Sequence, residues 1–152
     1  MPGRALFRAA WRPGRSTVCA VMDDSQLPVM PFAETLGIKL DSADAAEVRG
    51  HLDWSERLCT STGVLHGGAL MSLADSLGGL CAYLNLPAGA QTATMSSSTV
   101  FLRGVRGGAV SAVSRPLHTG RTVIVVQTDL LDDTGRLAAQ VTQTQAVLGG
   151  TR

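Results

Sequence analysis

The chain has 152 residues, of which 45% are hydrophobic, 16% charged and 4% aromatic, with a formal net charge of +1. That length suits a single domain with a real core, and the near-neutral balance excludes a general pull on nucleic acid or an anionic membrane. No run approaches the roughly 18 apolar residues of a membrane span, and Cys19, Cys59 and Cys81 share no metal or redox spacing, which fits a reducing, cytoplasmic setting.

Residues 1–30 read as an extension outside the folded domain. The first 22 hold Arg4, Arg8, Arg12 and Arg15, no acid, and Trp11 beside small residues. Two readings stand for them. One is a transit-peptide-like or basic amphipathic anchor; the other is a flexible tail, or upstream sequence ahead of a start at Met22. The helix breakers Pro2, Gly3, Pro13 and Gly14 favour the second.

From Pro31 the pattern becomes orderly, and residues 31–148 are expected to form the domain, with 149–152 as a tail. Pro31–Gly37 predicts a short helix, opened by proline and stopped by glycine. Ile38–Asp41 and Ala46–Leu52 alternate apolar and polar residues around Ser42-Ala43-Asp44, the pattern of a β-hairpin with one wet face. Residues 53–65 are polar and irregular, hence a loop. Gly67 to about Leu84 places Leu70, Leu73, Ala74, Leu77, Leu80, Cys81 and Leu84 at helical spacing. The opposite face carries Gly68, Ser72, Asp75, Ser76, Gly79 and Ala82, and a helix apolar on one side and small on the other is expected to be buried on both. Gly78 and Gly79 each cost about 1 kcal/mol in a helix interior, so the close approach of another backbone is expected to offset them.

Beyond Pro87-Ala88-Gly89 the period changes to two. Thr92–Leu102, Ala109–His118, Thr122–Leu131 and Leu137–Leu148 predict four strands in an antiparallel meander. The turns between them fall at Gly104–Gly108, Thr119-Gly120 and Asp132–Gly135. One long helix against about six strands makes an α+β domain with the sheet folded around the helix.

The chemistry concentrates in Gly63-Val64-Leu65-His66-Gly67-Gly68 and the helix it opens. A glycine-lined helix entrance offers unpaired N–H groups and the positive end of a dipole, which suits a developing oxyanion. Asp75 is the one charge between Gly67 and Leu84. An isolated helical aspartate is ordinarily solvated, but in this setting it must be partnered, shifted in pKa or facing a cleft, where it can act as base or nucleophile. His66 either caps and packs, or hydrogen-bonds the backbone so that the Gly67 N–H points outward. His51, His66 and His118 share no ligand spacing, so no metal is expected. No nucleophile elbow surrounds a serine, and the glycines at 104–108 lack the spacing and following helix of a phosphate loop. Arg103, Arg106, Arg115 and Arg121 read as surface residues, a subset of which beside a cleft would suit a phosphorylated ligand.

Gly67 and Asp75 lie eight residues apart, about 12 Å along a helix at 1.5 Å per residue. No small carbonyl touches both within one subunit. If both act on one substrate, the acid comes from a neighbouring chain, which predicts a dimer with composite sites. The low charge content points the same way, because an interface hides surface that would otherwise need wetting.

The glycine-histidine segment followed by Leu73-Ala74-Asp75, then Phe101-Leu102-Arg103, His118-Thr119-Gly120-Arg121 and Asp133–Ala139, appear in order over nearly all of Pro31–Leu148. On these motifs the chain resembles the hotdog-fold acyl-CoA thioesterases of the phenylacetic-acid-degradation (PaaI) and 4-hydroxybenzoyl-CoA thioesterase type. The resemblance implies a hotdog fold, dimers with a continuous sheet or dimers of dimers, and hydrolysis of an acyl-CoA thioester without cofactor or metal. It makes Asp75 the acid and Gly67 the oxyanion donor, supported by His66, with substrate contacts at Gly68, Arg103, Gly120 and Arg121. The place where relatives carry Ser or Thr near the acid falls on Thr94. Where relatives carry an orienting Asn or Gln, seven residues before Gly67, this chain has Thr60, and Gly104 replaces the proline usual after the Leu-Arg pair. Two other readings remain: a hotdog acyl-thioester dehydratase or hydratase, whose proline-rich histidine loop is missing, and a non-catalytic acyl-CoA-binding dimer.

Overall fold

The computed structural model describes residues 30–150. The two readings of residues 1–22 and the last two residues of the tail lie outside the described residues. A short helix α1 (Pro31–Leu36) is followed by strands β1 (Ile38–Ala43) and β2 (Val48–Asp53), the long helix α2 (Gly67–Tyr83), and strands β3 (Ala90–Phe101), β4 (Ala109–Thr119), β5 (Val123–Leu131) and β6 (Leu137–Gly149). The six strands form one antiparallel sheet in the order β1-β2-β4-β5-β6-β3, wrapped around α2. This is the α+β architecture expected.

Local chemistry explains most boundaries. Pro31 opens α1, and Gly37 closes it in the left-handed region at φ 81° with its N–H shared between the Ala33 and Glu34 carbonyls. The first hairpin turns later than expected, since Ser42 and Ala43 belong to β1. The reversal falls at Asp44–Glu47, where the Asp44 carboxylate accepts the Ala46 and Glu47 amides at 2.7 and 2.9 Å. A short polar side chain that caps its own turn outranks the break in alternation. Asp53, expected in the following loop, ends β2, and the loop at 54–65 contains one 3₁₀ turn at Glu56–Leu58 and a lone bridge between Cys59 and Leu65.

The expected four-stranded meander is corrected by the pairing. β4, β5 and β6 follow one another, but β3 pairs with β6, not β4. Residues 102–108 therefore cross the end of the sheet instead of forming a hairpin turn. The Leu102 and Arg103 amides both donate to the Ala138 carbonyl, at 2.8 and 3.0 Å. Val105 then enters the core at 4% exposure, and its carbonyl accepts the Leu65 amide at 2.8 Å. A period of two reads the same in either strand order, so only these long-range contacts distinguish the two.

α2 packs Leu70, Leu73, Leu77 and Leu80, with Ala69, Ala74, Cys81 and Ala82, against the concave sheet. Each such leucine contributes about 2 kcal/mol of burial. Gly50 permits the close seat, since a Cβ there would lie 2.5 Å from the Lys39 carbonyl and 3.0 Å from Leu77 Cδ1. The second face of α2, expected to be buried, is fully so only at Ala82. Met71, Asp75 and Tyr83 are exposed, and Ser72, Ser76 and Gly79 are half-covered. Sheet and helix wrap one side only, and this open side borders β3, an edge strand whose Met95, Val100 and Phe101 are exposed.

Candidate active site

The helix entrance is built by His66, which stands at the N-cap with extended backbone while its ring reaches over the first turn. Its Nδ1 accepts the Gly68 N–H at 2.8 Å, which leaves the ring proton on Nε2. The Ala69 amide donates to the His66 carbonyl at 2.9 Å. Gly67 N–H donates to no acceptor among the described residues. Of the two glycine amides at the entrance, the His66 ring therefore takes up Gly68 and leaves Gly67 open, with the positive end of the dipole behind it.

Gly67 faces a groove of about 380 Å³, lined by Thr60, Val64, Leu70, Phe101, Leu102 and Arg103 among others. The Phe101 ring rests on the glycine: a Cβ at Gly67 would lie 3.0 Å from Phe101 Cζ. Thr60 sits in the tight turn before the helix, where its amide donates to the Val64 carbonyl at 2.8 Å and its hydroxyl pairs with that of Thr62 at 3.0 Å. Arg106 Nη1 donates to the Thr62 carbonyl at 2.9 Å and so ties the crossover to this loop.

Asp75 lies two turns further along α2, on the open face. Its Oδ1 accepts from Gln143 Nε2 at 2.6 Å and from Thr94 Oγ1 at 3.2 Å. Thr94 in turn accepts from Gln145 Nε2 at 2.9 Å. Asp75 and Thr94 line a second groove of about 480 Å³, shared with Phe32 of α1, Ser76, Gly79 and Tyr83. Its walls are mixed apolar and small. The expectation of a backbone packed against both Gly78 and Gly79 is not met among the described residues: a side chain, Gln143, crowds Gly78, and a Cβ at Gly79 would meet nothing within 4 Å.

Gly120 and Arg121 lie elsewhere again, in the β4–β5 turn beside a groove of about 680 Å³ that also takes in Asn85, Pro87 and Val147. Arg103 and Arg121 are exposed, and among the described residues neither side chain makes a hydrogen bond or ion pair. Arg115 instead pairs with Glu47. Within one protomer the sequence-derived site thus divides into three: Thr60, His66, Gly67, Gly68 and Arg103; Asp75 with Thr94; and Gly120 with Arg121. Gln143 and Gln145 are fully buried on the core face of β6, at period two with Val141. Sequence reading missed them, although two amides on a core-facing strand register are a signal, because buried amides need partners. Cys81 lies in the core, where burial, followed by the nearby Asp44 charge, pushes its thiol up to about 11; it supplies no thiolate nucleophile at neutral pH.

Comparison with known proteins gives the family of the fold. The sequence profile described as the thioesterase superfamily matches residues 62–139. The structure of a Haemophilus influenzae thioesterase superposes with a TM-score of 0.75 at 27% identity, covering 80% of this chain and 85% of that one. A variant thioesterase from Pseudomonas aeruginosa superposes with a TM-score of 0.74 at 32% identity, covering 77% and 85%. A 1,4-dihydroxy-2-naphthoyl-CoA hydrolase of Escherichia coli is 35% identical over 86 residues, 57% of this chain and 63% of that protein.

Proposed function

Since the chain belongs to the thioesterase superfamily and is a thioester hydrolase, we propose that its substrate is an acyl-CoA and that two protomers share each active site. The observation that carries this reading is the separation of the two reactive devices. The open Gly67 amide and the Asp75 carboxylate face different grooves, about 12 Å apart along one helix. One carbonyl reaches both only when a second protomer brings its acid to the first protomer's helix entrance. The uncovered face of α2 and the exposed edge strand β3 supply the surface for that partner, and pairing across β3 would continue the sheet.

In this arrangement the Gly67 N–H and the helix dipole polarise the thioester carbonyl. Asp75 of the partner subunit either takes a proton from water as water adds to the carbon, or adds to the carbon itself. The C–S bond breaks, the thiolate leaves and is protonated, and the acyl group departs as a carboxylate, directly when water has added and, when Asp75 has added, after water hydrolyses the acyl–aspartyl anhydride. Thr94 steadies the acid, and His66 holds the entrance through Gly68. Arg103 and Arg121, both exposed cations without partners among the described residues, suit the phosphates of the CoA nucleotide. The reading places the enzyme in the cytoplasm; no helix among the described residues is long and apolar enough to cross a membrane.

The test is a thiol-release assay over aryl-, short-chain and long-chain acyl-CoAs. Wild-type protein is expected to release thiol from at least one class. Asp75→Asn is expected to lower turnover by about tenfold or more while the dimer persists. Unaltered turnover in that variant removes Asp75 from the mechanism. Loss of enoyl absorbance without thiol release would favour a hydratase, and tight acyl-CoA binding without release a non-catalytic dimer.

A further inference from the structure

We infer that Gln143 is a positioning residue for Asp75: admitted beside α2 by Gly78, it fixes one carboxylate oxygen so that the other, Oδ2, faces the groove as the reacting atom. The inference rests on the reading of Asp75 as the acid and deepens it. Both hydrogen bonds that reach this carboxylate, from Gln143 Nε2 and Thr94 Oγ1, fall on Oδ1. Oδ2 accepts none among the described residues. Two donors converging on one oxygen from different strands, β6 and β3, stop the carboxylate from turning about its last bond. The free oxygen keeps a single direction, and a reacting atom held in line is worth orders of magnitude in rate.

The local costs show that the contact is selected for something other than stability. Gln143 is fully buried, and its Oε1 has no hydrogen-bond partner among the described residues. An apolar side chain of equal size would avoid that unpaired acceptor. Gly78 lies in a helix interior, where glycine is unfavourable, yet a Cβ there would stand 1.9 Å from Gln143 Oε1. Two unfavourable choices meet at one place, and the contact they permit is the amide's bond to Asp75.

Turnover, KM and thermal midpoint should be measured for Gln143→Met, which keeps the volume and removes the donor. The expected result is a kcat about tenfold lower with KM within about twofold of wild type and a midpoint unchanged or raised. Gly78→Ala, which leaves the strand side chain intact but displaces its amide, should lower kcat by a similar factor. Combining Gly78→Ala with Gln143→Val should cost no more than either change alone, because both act through one contact. Wild-type kcat in Gln143→Met or in Gly78→Ala, with Asp75→Asn inactive, overturns the positioning role and leaves the acid in place. Wild-type turnover in Asp75→Asn overturns both.

Discussion

Gly67 is a position where a missing side chain shapes the helix entrance. Its φ lies outside the left-handed region, so conformational freedom is not the reason for glycine. The reason is steric: Phe101 occupies the space a Cβ would take, 3.0 Å away at Cζ. Alanine keeps the amide hydrogen but must push the ring, and overpacking of this kind typically costs about 1–3 kcal/mol. Gly67→Ala should therefore lower kcat/KM by roughly tenfold through a displaced entrance. In a Phe101→Ala background the same change should cost little, because the ring is gone. Steady-state kinetics on the four proteins of this cycle decide the matter. An equal loss in both backgrounds would mean that Phe101 is not the obstacle.

Among the elements, the β5–β6 turn shows how a short acidic loop sets register. Asp132 Oδ1 accepts the Thr134 amide and hydroxyl at 3.0 and 2.6 Å and the Arg136 amide at 3.0 Å, while Oδ2 meets the Arg136 guanidinium. These bonds, the Thr134 hydroxyl first and the Arg136 amide next, hold its carboxyl at about 2, below the ordinary 3.8. A folded value below the unfolded one means the stabilisation is complete above the ordinary value and is lost as pH falls through about 2. Asp132→Asn should therefore flatten the acid limb of the stability profile, seen in urea midpoints between about pH 5 and about pH 2. An acid limb identical to wild type would mean that the charge on this turn does not contribute. α2 illustrates the converse case, in which one element serves two tasks. Its leucine face anchors the fold, while its small-residue face stays open to carry Asp75 beside a groove.

For the assembled protein, the proposal requires that activity belong to pairs of chains. Asp75→Asn subunits keep the Gly67 amide, whereas Gly67→Pro subunits keep the acid but lack the amide hydrogen, at a first helical position where proline is tolerated. Each variant alone should be nearly inactive. After unfolding and refolding an equal mixture, half the dimers should be mixed, each with one intact site, restoring about a quarter of wild-type turnover per chain. Mixed dimers confirmed by mass but without recovered turnover would refute the shared site.

Much of this protein was legible from local pattern. The extents of α2 and of β3 to β6 followed from hydrophobic period and turn residues, each to within two residues, because those signals act over a few positions of chain. Asp75 and Gly67 stood out for the same reason, as a lone charge on an apolar helix and a glycine at its mouth. What local pattern left undecided was every question of pairing between distant segments. The place of β3 beside β6, the crossover at 102–108 and the open face of α2 depend on which surfaces meet, and alternation carries no information about partners. Gln143 belongs with these: in the chain it is one polar residue in a strand, 68 positions from the acid it touches. It became visible only when packing placed its amide against Asp75 and left its oxygen buried over a glycine.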